Sequence, residues 1–210
     1  MKNLFLFLLV LFGAMSLFGQ KKFEYKNYHF SAKYVLKNSK DTIFTKIENF
    51  DKNRYPIFSY STIVKRLHFR NSNGEKEAIN EGDIQYLEIN DNLNVNREFI
   101  ASSSVLNKNK GLLEVFHTGK ISFFSDYNYN YDLSINSFAR DIIVVRDYLV
   151  DNQNGKFYGP YAHKLGAFSA ITLMDNLKEN FKDYPDLQSM TENVQSKESF
   201  INLLKSYDAK

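Results

Sequence analysis

The sequence predicts an α+β fold: an antiparallel, twisted β-sheet or half-barrel, followed by a C-terminal helical tail that packs against it. Residues 28–158 contain short β-rich runs broken by Asn, Asp, Gly and Lys, which is typical of antiparallel strands and their turns. Residues 163–207 instead place apolar side chains three and four positions apart, as amphipathic helices do. Strands first and helices last favour α+β over a parallel α/β sheet.

Several β-rich segments open the predicted sheet. They cover residues 29–36, 42–50, 57–69, 83–89 and 95–101. The polar stretch 37–41 between the first two has the length of a hairpin loop. Asn73 and Gly74 close the third segment with a tight turn, because this residue pair tolerates positive φ angles.

The spacing of apolar residues changes after the fifth segment. The apolar residues there are Leu112, Leu113, Val115 and Phe116. Their spacing predicts a short helix. We expect this helix to end at Gly119, because glycine readily adopts the left-handed backbone conformation of a helix C-terminus. Strands are predicted to resume at residues 121–124, 127–133 and 142–150.

From Tyr161 onward the pattern predicts helices. Their apolar positions are Phe168, Ile171, Met174, Leu177 and Phe181, then Leu187, Met190 and Val194, and last Phe200, Leu203, Leu204 and Tyr207. Pro185 fits the first turn of the second helix, where a missing N–H leaves no hydrogen bond unmade. Ser196, with Glu198 after it, predicts a capped start for the third helix.

The amino terminus, residues 1–19, has the pattern of a secretory signal peptide. Lys2 is followed by an uninterrupted apolar run at residues 4–12 and then by smaller side chains. The run is too short for a membrane span, which needs roughly 20 apolar residues. We expect cleavage after Ser16 or after Gly19, and an exported protein that is periplasmic or secreted.

The cleaved chain, residues 20–210, is predicted to be a single α+β domain with no membrane span and no lipid anchor. Gln20 stands where a lipoprotein carries the cysteine that accepts the lipid, and the chain has no cysteine. The lack of cysteine also excludes disulfides, thiol catalysis and iron–sulfur clusters. The net charge of +3 is close to balance, so we expect no nucleic-acid partner.

Four motifs follow one another in a fixed order, at residues 81–89, 112–124, 148–150 and 183–187. They comprise a strand that opens with Asp83 and Ile84, a helix that ends at Gly119, and a helical tail with a junction at Pro185. This order resembles a broad group of uncharacterised exported envelope proteins of Bacteroidota-type bacteria. The resemblance implies export and this architecture, and it implies no activity. Members of the group often have cysteines where this chain has Tyr184 and Asp208. The chain departs from the group here, so we expect its tail to lack any disulfide.

The sequence predicts no metal site and no cofactor. The histidines are His29, His68, His117 and His163, and each lacks a second ligand at the i+4 spacing that places two ligands on one helical face. Oxygen-bearing side chains alternate as in a calcium loop at Asp126, Asn128, Asn130 and Asp132. The sixth position of that run is Tyr131, where a calcium loop requires glycine.

Tyr127, Tyr129 and Tyr131 are the candidate binding residues. Alternate residues of a strand point to one face, so these rings could form an exposed platform for a sugar ring or an apolar ligand. The other interpretation is that the rings are core and cover the helical tail. The core interpretation is favoured, because aromatic stripes are usually buried.

No catalytic residue is predicted. Ser102, Ser103 and Ser104 follow a strand, but no Gly-x-Ser-x-Gly elbow surrounds them and no His and Asp are assigned beside them. We expect a non-catalytic binding or interaction module of the cell envelope, whose partner is an envelope protein, a glycan or a hydrophobic ligand. A hydrolase whose site is assembled only in the fold is the alternative, and a purely structural envelope partner is the third possibility.

Overall fold

The computed structural model describes residues 23–54, 56–64, 66–129 and 143–210. The strands are β1 His29–Leu36, β2 Ile43–Glu48, β3 Arg66–Arg70, β4 Lys76–Asn80, β5 Ile84–Asn90, β6 Asn96–Ala101, β7 Leu112–His117, β8 Ile121–Tyr129, β9 Ile143–Asp151 and β10 Lys156–Lys164. The helices are α1 Ser103–Leu106, α2 Ala170–Phe181, α3 Pro185–Thr191 and α4 Lys197–Asp208. The predicted signal peptide and its two cleavage positions lie outside the described residues.

Within the described ranges, the strands form one open sheet in the order β10-β9-β8-β7-β6-β5-β1-β2-β3-β4. Every neighbouring pair is antiparallel. The predicted α+β fold, a sheet followed by a helical tail, is therefore confirmed. No helix of the described residues is both long enough and apolar enough to cross a membrane.

The helix predicted around residue 112 is wrong, because these residues form strand β7. Leu112 is buried in the core on one face of the sheet, whereas Leu113 is buried on the other. Burial on both faces makes apolar residues consecutive, which obscures the alternation of a strand. Gly119 lies in the turn to β8, where the Asp208 carboxylate occupies the space that a Cβ would fill.

The long strand predicted for residues 57–69 is also wrong in its first half. Residues Tyr60–Ile63 form a 3-10 turn, and the strand begins only at Arg66. The buried Asn49 explains why this connection can enter the core. Its amide oxygen accepts hydrogen bonds from the Ser59 N–H and the Thr62 hydroxyl, both at 2.9 Å, and its amide nitrogen donates to the carbonyl of Ile57 at 3.0 Å. These bonds satisfy polar groups that burial would otherwise leave unpaired.

The predicted start of the helices at Tyr161 is too early. Residues 161–164 pair with β9 as part of β10, with Tyr161 opposite Asp147, and the first long helix begins at Ala170. The two strands predicted at 121–124 and 127–133 are one strand, β8, as far as Tyr129. Strand β4 was not predicted, because Ile79 is its one buried residue and gives no readable alternation.

The inner face of the sheet, defined as the face that carries Tyr34, Leu87 and Phe99, has two different covers. The connection between β2 and β3 covers the first half, where Phe58 and Ile63 join the same core as Phe99. Helices α2, α3 and α4 cover the second half, and their apolar residues pack on strands β8 and β9. Each half therefore has its own core, and the two cores meet near β7 and β8.

The start of α4 is capped as the sequence predicts, by Ser196. Its hydroxyl accepts a hydrogen bond from the Ser199 N–H at 3.1 Å, and the Ser199 hydroxyl accepts one from the Ser196 N–H at 3.1 Å. We expect Ser196→Ala to lower the free energy of unfolding by about 1 kcal/mol, because an N–H of the first turn loses its acceptor. Urea denaturation should show this loss, whereas Ser189→Ala, on an exposed helical position, should be neutral. Equal stability of the two variants would contradict the capping role.

Candidate functional site

A row of inner-face side chains crosses the sheet and changes from apolar to polar in its middle. In order from β1 to β9, the paired residues are Tyr34, Leu87, Phe99, Glu114, Ser125 and Asp147. All six are buried. The last three, which we call the polar row, thus come from adjacent strands and lie where the two cores meet.

Glu114, at 2% exposure, is the first member of the polar row and is fully hydrogen-bonded. Its Oε2 accepts a hydrogen bond from the Tyr127 hydroxyl, and its Oε1 lies 3.2 Å from Nη1 of Arg97. Burial raises the pKa of Glu114, although Tyr127 and Arg97 favour its charged form. Arg97 also donates to the Tyr60 hydroxyl at 3.0 Å. These four side chains therefore form one connected buried network.

Asp147, at 1% exposure, ends the polar row and joins three elements. Its Oδ1 accepts a hydrogen bond from the Ser125 hydroxyl at 2.5 Å, and its Oδ2 lies 2.9 Å from Nε2 of His163 on β10. Lys197, the first residue of α4, reaches the same place from the other side. Its ammonium donates to the Ser125 Oγ at 3.3 Å and lies 3.9 Å from Oδ1 of Asp147.

Lys197 is held among aromatic rings. Its Nζ lies 3.9 Å from the ring centre of Phe116 and 5.4 Å from that of Phe123, which are distances of cation–π contacts. Burial lowers the pKa of Lys197, and the carboxylates of Asp147 and Glu114 oppose this shift.

A cavity of about 570 Å³ opens beside the polar row. Its aromatic walls are Tyr60, Phe116, Tyr127 and Phe168, and its polar side chains are His163, Gln195, Ser196 and Lys197. The remaining lining comes from Val145 on β9 and from residues 165–167 between β10 and α2. The site is thus framed by the sheet, the β2–β3 connection and the start of α4.

This cavity and its polar row are the strongest candidate site in the described part of the chain. No family model, curated protein or solved structure matches this chain.

Two of the three candidate tyrosines, Tyr127 and Tyr129, are among the described residues. Tyr127, at 6% exposure, lines the cavity, and its ring stacks on Tyr60 at a centroid distance of 4.1 Å. Burial and the Glu114 carboxylate raise the pKa of Tyr127, so its hydroxyl stays protonated and donates. Tyr129 ends β8, opposite Ile143, and Tyr131 lies outside the described residues.

Among the described residues, the others considered from the sequence do not assemble into a second site. The buried Ser102 holds the loop after β6, because its hydroxyl donates to the carbonyl of Lys108 and accepts from the N–H of Lys110. Asp126, which opens the calcium-like run, accepts a hydrogen bond from the Tyr148 hydroxyl at 3.0 Å; Asn130 and Asp132 lie outside the described residues. Across the described ranges, no three His, Asp or Glu side chains group as metal ligands.

Sequence reasoning missed Glu114, Asp147 and Lys197. A signal existed for the two acids, because each stands inside an apolar strand, Glu114 between Leu113 and Val115. A carboxylate at such a position is costly unless it is paired, so it marks a buried polar network.

Proposed function

We propose that this protein is an exported, non-catalytic binding module of the cell envelope, and that its cavity takes a small organic ligand with an apolar or ring-shaped body. The cavity carries the proposal, because its volume of about 570 Å³ falls in the range of small-molecule sites. Aromatic walls with a few converging polar groups are the usual lining of such sites. The signal-peptide pattern and the resemblance to exported envelope proteins support the cellular location.

The arrangement of the polar row favours binding over hydrolysis. Ser125 and His163 contact different oxygens of the same carboxylate, Asp147. A serine nucleophile needs a base that accepts its proton, and the Ser125 hydroxyl is instead fully buried and donates to Asp147. Both acids of the polar row are buried and neither is part of the cavity lining, whereas glycosidases present two carboxyl groups to the sugar.

A neutral fluorescent probe tests whether the cavity binds apolar molecules. We expect N-phenyl-1-naphthylamine to bind saturably with a rise in fluorescence, because its rings can pack on Tyr60 and Phe168. Ala167→Trp places a large side chain in the lining and should weaken binding at least about tenfold, which corresponds to about 1.4 kcal/mol.

Ile171→Trp is the matched control, because Ile171 is exposed on α2 and lies outside the lining. Its probe affinity should equal that of the wild type, and both variants should keep the wild-type melting temperature. Absence of saturable binding to the wild type, or equal affinity of Ala167→Trp and the wild type, would overturn the proposed function.

A further inference from the structure

The charge that the cavity presents to a ligand is cationic. Lys197 is the charged side chain of the described lining, and no carboxylate is part of that lining. Glu114 and Asp147, the acids that interact with Lys197, belong to the polar row and are almost completely buried. Lys197 is therefore the charged lining residue that can pair with a ligand anion, and no Asp or Glu lines the described cavity.

Both acids of the polar row are already satisfied by other donors. Glu114 uses one oxygen for Tyr127 and the other for Arg97. Asp147 uses one oxygen for Ser125, and its other oxygen faces His163. Neither acid depends on Lys197 for its hydrogen bonds.

Lys197 keeps donor capacity for a ligand. An ammonium group has three N–H donors, and in the described structure one of them is directed to the Ser125 hydroxyl, at 3.3 Å. The distance of 3.9 Å to Asp147 allows an electrostatic attraction but exceeds a hydrogen bond.

The surroundings strengthen the attraction of Lys197 for an anion. The rings of Phe116 and Phe123 displace water from the ammonium group, and a charge pair attracts more strongly where the dielectric constant is low. Lys197 also begins a helix of 12 residues, whose amino-terminal end carries partial positive charge.

We propose that the ligand of this cavity is an amphipathic carboxylic acid, with its carboxylate on the Lys197 ammonium and its apolar or aromatic body against Tyr60, Phe116 and Phe168. This inference rests on the proposed function and specifies its ligand class. The pairing is a charge-assisted hydrogen bond, which is the strong type of hydrogen bond in proteins.

Two probes that differ only in the anionic group test the inference. 4-Phenylbutyrate and 4-phenylbutanol share an aromatic body, and each can be titrated against bound N-phenyl-1-naphthylamine by displacement. We expect the wild type to bind the acid about tenfold more tightly than the alcohol. Lys197→Met keeps an unbranched apolar stem of similar size and removes the ammonium group, so it should bind both probes with the affinity that the wild type has for the alcohol.

Lys205→Met is the matched control, because Lys205 is exposed on the same helix. It should keep the full preference for the acid. The inference is overturned if the wild type binds the acid and the alcohol equally, or if Lys197→Met still prefers the acid. In either case the proposed function stands, provided that the fluorescent probe binds the wild type. If the fluorescent probe itself does not bind the wild type, the proposed function fails first.

Discussion

Replacing Phe200 with alanine should lower the free energy of unfolding by about 3–5 kcal/mol, because large-to-small substitution in a packed core removes apolar burial and leaves a cavity. Phe200 is 0% exposed and joins the last helix to the sheet. Its ring meets Phe123 of β8 edge-on at a centroid distance of 5.3 Å and Phe168 at 5.9 Å. Urea denaturation with linear extrapolation measures the loss.

Phe44→Ala is the control for this prediction. Phe44 is 79% exposed, so its removal should change stability by no more than about 0.5 kcal/mol. A loss below about 1 kcal/mol for Phe200→Ala would show that α4 contributes little to the stability of the second core, contrary to its packing.

Replacing Glu114 with alanine should cost about 3 kcal/mol of unfolding free energy, because it leaves the Arg97 guanidinium without its closest carboxylate. Loss of one partner from a buried ion pair typically costs about 3–5 kcal/mol. The lower end applies here, since the Arg97 side chain is partly exposed and Asp91 lies 3.8 Å from its Nη2. The Tyr127 hydroxyl also loses its acceptor.

The double variant Glu114→Ala, Arg97→Met separates the lost ion pair from the lost volume. Removing the orphaned charge as well should recover part of the stability, whereas additive losses would indicate that the two residues act independently. Glu179→Ala, at an exposed position on α2, should be neutral in the same assay. The measurement is again the free energy of unfolding in urea.

The elements that could be predicted from the sequence are those in which one face alone is buried. Strand β1 has the bounds that the sequence predicts, and Pro185 begins α3, a position where its missing N–H leaves no hydrogen bond unmade. Strand β7 was mistaken for a helix because both of its faces are buried. The connection between β2 and β3 was mistaken for a strand because apolar residues of a buried loop resemble those of a strand. The side-chain bonds of Asn49, which satisfy the polar groups of this loop, could not be read from the sequence.

Most of the candidate site could not be predicted from the sequence, because the pairing of the strands brings its residues together. Glu114, Ser125 and Asp147 become neighbours only when β7, β8 and β9 pair. Lys197 joins them because the last helix folds back on the sheet, far from them in sequence. Tyr127 was considered for its alternation with polar residues, but its partner Tyr60 lies in a connection whose course the sequence did not indicate.

The two covers of the sheet occupy different places along the chain, and this order affects how the protein is made. The cover of the first half is encoded between β2 and β3, so it is synthesised before most of the strands that it protects. The cover of the second half follows β10, so Phe123 and Leu149 are synthesised before the helices that bury them. Exposed apolar surface on an incomplete sheet promotes aggregation. The apolar inner face of β8 and β9 therefore stays uncovered until the last helices have been synthesised.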